Sequence, residues 1–182
     1  RQLKASEARL RMTIEAVQME FWDYDPHQQQ VQGFGKYTSQ GWQPRSWQEP
    51  CDDTLAKIHP DDRALVQSSI VAAVEHGSDL NLEYRLMISE TETRWILALG
   101  RVQTDLRQQT QRIFGVSLDI SERKQAELER IKTQQLHQEL QILEAILDDV
   151  LGGYWDWDIS RDQEYLSPGL KQMFGYRDDE LV

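Results

Sequence analysis

The chain has 182 residues, 39% of them hydrophobic and 28% charged, enough for one core but not for a core spanning that whole length. Its 20 Lys and Arg against 31 Asp and Glu leave a formal charge of −11, which excludes a phosphate-neutralising nucleic-acid surface. A single cysteine, Cys51, excludes an internal disulfide framework and a cysteine-based zinc site, no apolar run reaches the ~20 residues of a bilayer span, and no signal-peptide pattern opens the chain.

Residues 1–18 carry a short amphipathic helix, with Leu10, Ile14 and Val17 on one face and Ser6 as a start signal. Phe21-Trp22-Asp23-Tyr24-Asp25 alternates bulky and acidic residues, as a strand with one wet face would, and residues 31–34 read as its hairpin partner. Residues 35–60 show no long period. Gly41, Pro44, Pro50 and Pro60, with Trp42 and Trp47 between them, predict helical turns and loops. Ile58-His59-Pro60-Asp61-Asp62-Arg63 is a helix start whose acidic residues suit the positive end of the helix dipole, and Gly77 is the stop.

Three strand-like runs follow at residues 82–86, 94–102 and 112–118, an antiparallel meander with short polar links. Trp95, Leu97 and Leu99 share one face of the second, and Phe114, Val116 and Leu118 one face of the third. Residues 121–148 are strongly polar, without Gly or Pro. Leu128 and Ile131 mark one apolar stripe, and Leu136, Leu140, Leu143 and Leu147 another. The five-residue step between them breaks a simple heptad, so a coiled-coil-like connector with a phase change is expected, pairing in parallel with a second copy.

An internal repeat organises the whole. Phe21-Trp22-Asp23-Tyr24-Asp25 recurs as Tyr154-Trp155-Asp156-Trp157-Asp158, and Ile14 and Val17 upstream match Leu147 and Val150. Residues 149–182 are therefore expected to be the start of a second copy, too short to close a core, in a segment of a longer protein.

These pieces, in order, resemble the PAS domain with its C-terminal PAC motif. The match covers residues 5–124, with a truncated second copy at residues 143–182. It is carried by Trp22-Asp23-Tyr24-Asp25, the residue 58–63 run, Glu83-Tyr84-Arg85-Leu86, Arg94-Trp95-Ile96, and Gly115 with Asp119-Ile120-Ser121-Glu122-Arg123-Lys124. The last resembles the family's Asp-Ile-Thr exit motif, with Ser121 in place of Thr. Two hairpins depart from the pattern: Ser89-Glu90-Thr91-Glu92-Thr93 lacks the usual Asp-Gly, and the next lacks its Gly and holds Gln108, Gln109 and Gln111.

The resemblance implies an α+β fold, a five-stranded antiparallel sheet in the order 2-1-5-4-3 with helices on one face, plus a long C-terminal connector helix. The domain occupies residues 19–120. It implies a sensory or signal-relay module of a multidomain bacterial signalling protein, foremost a two-component sensor histidine kinase. A ligand-free dimerisation scaffold, or the same module attached to a cyclic-dinucleotide cyclase or phosphodiesterase, stays open. Any kinase or cyclase activity would lie outside these residues, and no catalytic or metal-binding residue is expected.

Flavin-binding members need a reactive cysteine in an Asn-Cys-Arg-Phe-Leu-Gln-like helix. Cys51 stands in Glu49-Pro50-Cys51-Asp52-Asp53 and reads as an ordinary half-buried thiol. Haem-binding members place a histidine on the long helix. His76 sits at its end, where it complements the dipole, His59 reads as part of a cap, and His27 and His137 pair with nothing. Neither haem nor flavin is expected, and a small molecule of unspecified chemistry stays open. The aspartates 23, 25, 52, 53, 61 and 62 read as solvated surface rather than a metal cluster.

Pocket candidates are Ile70, Val74, Tyr84, Leu86, Trp95, Leu97 and Phe114, enclosing either a cavity or packed core. The signal-transfer joint is expected at Asp119, Ile120, Ser121 and Arg123, where the last strand turns into helix. Partners expected are a second copy, through the flanking helices, and adjacent signalling domains, with no nucleic acid and no direct membrane contact. Placement is expected to be cytoplasmic, with any membrane anchor elsewhere in the parent protein.

Overall fold

The computed structural model describes residues 2–105, 110–177 and 179. The chain divides into two compact units, Arg1–Gln125 and Ala126–Val182. The elements in order are α1 (Gln2–Val17), β1 (Glu20–Asp25), β2 (Gln30–Thr38), β3 (Gly41–Pro50), α2 (Cys51–Ala56), α3 (Pro60–His76), β4 (Leu80–Met87), β5 (Thr93–Asp105), β6 (Thr110–Asp119), α4 (Ser121–Leu151), β7 (Trp155–Asp158), β8 (Gln163–Leu166) and α5 (Pro168–Met173).

In the first unit β1 to β6 form one antiparallel sheet in the order β3-β2-β1-β6-β5-β4. Five of these strands follow the expected order. The sixth, β3, corrects the expectation of helical turns and loops over residues 41–50, whereas the short helix α2 falls within the expected range. Its two prolines are tolerated because it is an edge strand, where backbone donors on one side need no ladder partner. Its tryptophans anchor it instead: Trp42 Nε1 donates to the Met19 carbonyl (3.0 Å) and Trp47 Nε1 to that of Gly35 (2.7 Å). The expected turn between β5 and β6, with Gln108 and Gln109, lies outside the described residues.

The helix α3 lies over one face of this sheet. His59 caps it, its Nδ1 accepting from the Asp61 amide (3.3 Å), Pro60 takes the first turn, and Gly77 ends it at φ +65°. Asp62 does more than favour the dipole. Its carboxylate accepts from Arg85 Nε (2.9 Å), Nη2 (2.7 Å) and backbone N (2.8 Å), clamping the helix start to β4. Arg63 donates back to the carbonyls of Ile58 (2.9 Å) and Ala56 (2.8 Å), and the exposed Asp61 accepts from Arg85 Nη2 (3.3 Å). The core sits between α3 and the sheet, on Ala73, Leu80 and Ile113, with Trp22, Tyr24, Ile70, Val74, Leu82 and Val102 packed against it.

Trp22 is the keystone of that face. It lies over Gly100 and Gly115, which are directly paired across β5 and β6, and a Cβ on Gly115 would come within 2.2 Å of the ring. Its Nε1 donates to Ser117 Oγ (2.9 Å). Asp23, expected on a wet face, is instead 7% exposed: Arg112 grips it by Nε (3.0 Å) and Nη2 (2.6 Å), and Gln32 donates a third bond (3.1 Å). The opposite sheet face also carries apolar residues, and α1 reaches it, with Arg11 5.3 Å above the Phe34 ring and Ile14 buried.

In the second unit β7 pairs with β8, and Ser167 caps α5 through its hydroxyl while exchanging backbone and side-chain bonds with Tyr154. Trp155 (63% exposed), Trp157 (45%), Ile159, Phe174 and Tyr176 are uncovered. Among the described residues no helix is long and apolar enough to cross a membrane.

Candidate functional site

The residues facing α3 are fixed by the register. Glu20, Trp22 and Tyr24 on β1 stand opposite Ser117, Gly115 and Ile113 on β6, and these opposite Ala98, Gly100 and Val102 on β5. Of these, Glu20, Trp22, Tyr24, Ala98, Ile113 and Ser117 line a cavity of about 570 Å³ together with Leu82, Tyr84 and Leu86 on β4 and Val66 and Ile70 on α3. A side-chain period of 2 means that one step in phase moves a strand's whole set to the other face. The candidates Trp95, Leu97 and Phe114 accordingly belong to the opposite face, a correction of the expected wall. Both faces of β5 and β6 are apolar, so hydrophobicity alone did not separate them. Outside, Trp95 is covered by Arg85 (5.6 Å) and Lys124 (5.0 Å), and Arg112 lies 6.0 Å from the Phe114 ring. Ile70, Tyr84 and Leu86 line the cavity, and Val74 packs in the core beside it.

One end of the cavity is polar, and sequence reasoning missed it. Gly35, at φ +81°, sits at a bulge between Phe34 and Lys36, and beside it Lys36 and Tyr37 line the cavity together with Val31. Tyr37 is buried, its hydroxyl donating to the Gln18 carbonyl (2.8 Å) and accepting from the Asp119 amide (3.0 Å). Glu49 on β3 gathers Lys36 Nζ (2.9 Å), Lys57 Nζ and Thr54 Oγ1 (2.9 Å), and the lysines hold its carboxyl below the usual range against the opposing effect of burial. Glu20 lies deep in the same end. Burial, only partly offset by Lys36 and Lys57, pushes its carboxyl up to about 7. Burial likewise raises Tyr24 and Tyr37 to about 12 each and Tyr84 further. The signal for Glu20 was legible: it is two residues before Trp22, hence on the same strand face.

Cys51 lines the cavity beside Tyr24, its thiol raised by burial. His76 is exposed at the end of α3, where its Nδ1 lies 3.1 Å from the Ala72 carbonyl, and it is not among the lining residues. Among the described residues no three His, Cys, Asp or Glu side chains are grouped to hold a metal.

The joint residues come together where β6 becomes α4. Asp119 Oδ1 accepts from the Ser121 amide (2.9 Å) and its Oδ2 pairs with Arg94 (3.2 Å). Ser121 Oγ accepts from the Trp95 amide (2.9 Å), and buried Ile120 donates its amide to the Trp95 carbonyl (2.8 Å). Arg123 and Lys124 (2.6 Å) both pair with Glu83 on β4, Lys124 first among the contacts that lower that carboxyl's pKa. The start of α4 is thus bonded to β4 and β5, and through Asp119 N to Tyr37 at the cavity. Further along, Leu128, Ile131, Leu136, Leu140, Leu143 and Leu147 are all exposed on α4, one helix from Ser121 to Leu151.

The site is thus an antiparallel sheet closed by a helix over a small cavity, with its last strand running into a helix. Residues 37–117 match the family described as PAS fold. The chain carries a PAS domain, and PAS domains are sensory rather than catalytic modules. The sensor protein FixL of Bradyrhizobium diazoefficiens is 30% identical over 128 residues, 70% of this chain and 24% of that protein. The uncharacterized protein y4lL of Sinorhizobium fredii is 28% identical over 145 residues, 74% of this chain and 16% of that protein. The chain therefore spans a quarter or less of these relatives. A sensory box histidine kinase/response regulator structure from Burkholderia thailandensis shares the fold, with a TM-score of 0.53 and 23% identity over 71% of this chain and 98% of that one.

Proposed function

We propose that this chain is a sensory relay of a two-component sensor histidine kinase. A ligand in the first unit's cavity changes the sheet, and the joint at Asp119–Ser121 passes the change to α4, paired with α4 of a second copy. The observation that carries this reading is the bonded path from the cavity wall at Tyr37, through Asp119, Ile120 and Ser121, into an uninterrupted helix of 31 residues. The exposed stripe on α4 supports a parallel dimer, because a row of leucines along a helix gains most by facing its own copy. The similarity to the sensor protein FixL supports a sensor as the parent protein, and a cytoplasmic kinase is the parent we propose.

The second unit supports the start of a second domain at residues 149–182. Its hairpin repeats the first at a constant interval of 133 residues: Trp22↔Gly33 becomes Trp155↔Leu166, and Asp25↔Gln30 becomes Asp158↔Gln163. Both turns close the same way, on an aspartate that accepts two amides and a residue at positive φ, Gln29 in one and Asp162 in the other.

Native mass spectrometry and light scattering of the purified chain test the reading together. A dimer that retains a small molecule agrees with it, and an empty, concentration-independent monomer contradicts it.

A further inference from the structure

Glu20 is the one acid of the cavity with nothing to do. Among the described residues its side chain makes no hydrogen bond or ion pair, and it lines the cavity while only partly exposed. The two lysines near it, Lys36 and Lys57, are already bonded to Glu49. The Tyr37 hydroxyl donates to the Gln18 carbonyl and accepts from the Asp119 amide, and Tyr84 is hydrogen-bonded to Ser117. A buried carboxyl without a donor is costly, so a ligand that brings one is favoured over a ligand that does not. Trp22, Val66, Ile70, Leu82, Leu86 and Ile113 form an apolar and aromatic part of the wall that takes a hydrophobic body.

We propose that the cavity binds a small ligand with an apolar or aromatic body and a basic nitrogen, an ammonium or amidinium group, which donates to the Glu20 carboxylate. The inference rests on the sensory reading of the same cavity and names the chemical class it receives. The groups surrounding Glu20 are Lys36 and Tyr37 on β2, Glu49 on β3, Lys57 after α2 and Tyr84 on β4. The charged side chains of the wall are Lys36, Arg45 and Lys57 with Glu49 and Glu20; Lys36 and Lys57 are bonded to Glu49, so Glu20 is the acid left open to a ligand's cation. Binding of a cation strengthens as Glu20 ionises, so affinity for an amine rises with pH across the region near 7 where Glu20 gives up its proton.

The test titrates the full chain with 2-phenylethylamine and tryptamine, and with 2-phenylethanol and phenylacetate as neutral and anionic matches, by calorimetry and thermal shift from pH 5.5 to 8.5. Expected is amine binding at least tenfold tighter than alcohol binding at pH 8, weakening towards pH 5.5. In Glu20→Gln the preference and its pH dependence disappear. Binding of the alcohol or phenylacetate as tightly as the amines overturns the inference while leaving the cavity a binding site, as does an amine preference that survives in Glu20→Gln. Should that variant misfold, the pH profile of the unaltered chain decides alone: a flat profile overturns the inference. If none of the four probes binds and native mass spectrometry finds the chain empty, the sensory reading itself fails.

Discussion

The two hairpins of this chain share a motif, a register and a turn, and differ in what covers them. Trp22 is seated on two glycines and bonded to Ser117, whereas Trp155, its counterpart, is 63% exposed. Asp23 is gripped by Arg112, whereas Asp156 is exposed. Everything that buries the first hairpin on its β6 side comes from residues about ninety positions later. The motif therefore encodes a local turn and pairing pattern, and the core arrives from elsewhere in the chain. That is the physics of non-local sheet pairing.

Breaking the buried copy separates the two most sharply. Trp22→Ala should cost about 3–5 kcal/mol in urea unfolding, and Gly115→Ala, which drives a Cβ into the same ring, about 2–3 kcal/mol. Trp155→Ala should stay within about 0.5 kcal/mol. Equal losses at the two tryptophans would mean that the second hairpin has its own core.

Position 20 has Gly153 as its counterpart at the 133-residue interval, so the second hairpin has no acid at that position. Glu20 keeps its proton to about pH 7 when folded and to about 4.5 when unfolded. The folded state thus binds more protons in that window, and stability falls as pH rises through it. Glu20→Gln should remove this fall, its advantage growing between pH 4.5 and 7 by up to roughly 3 kcal/mol. A pH-independent difference in thermal unfolding would contradict the burial of that carboxyl.

Smaller effects follow at the charges. Asp23→Asn should cost about 1–2 kcal/mol, the partly exposed Arg112 limiting the loss, and Asp156→Asn almost nothing. Asp119→Ala should cost about 1 kcal/mol and, in the parent signalling protein, abolish the response to its stimulus. Signalling unchanged by that substitution would count against the relay.

Much of this was legible from the residues. The 58–63 run and Gly77 marked the ends of α3 through cap chemistry, which is local. The order Asp119-Ile120-Ser121 placed the joint for the same reason. What the residues hid was set by tertiary contact. β3 lacks a period because its indoles act as anchors rather than as a face. The phase of β5 and β6 was hidden because Trp95, Leu97 and Phe114 are as apolar as Ile96, Ala98 and Ile113. Asp23 read as solvated because nothing near it in sequence announces Arg112. The polar end of the cavity was hidden because Glu20 on β1, Lys36 and Tyr37 on β2, Glu49 on β3 and Lys57 after α2 are brought together only by the tertiary fold.

Amide hydrogen exchange across the start of α4 tests the central claim most directly, comparing the unaltered chain with Ala98→Phe, which fills the cavity from its floor. The account predicts altered exchange at residues 121–128 in the filled chain, no change in the β7–β8 hairpin, and loss of the α4 effect when Asp119→Ala is added. Exchange in α4 that stays the same while the cavity wall responds would contradict it.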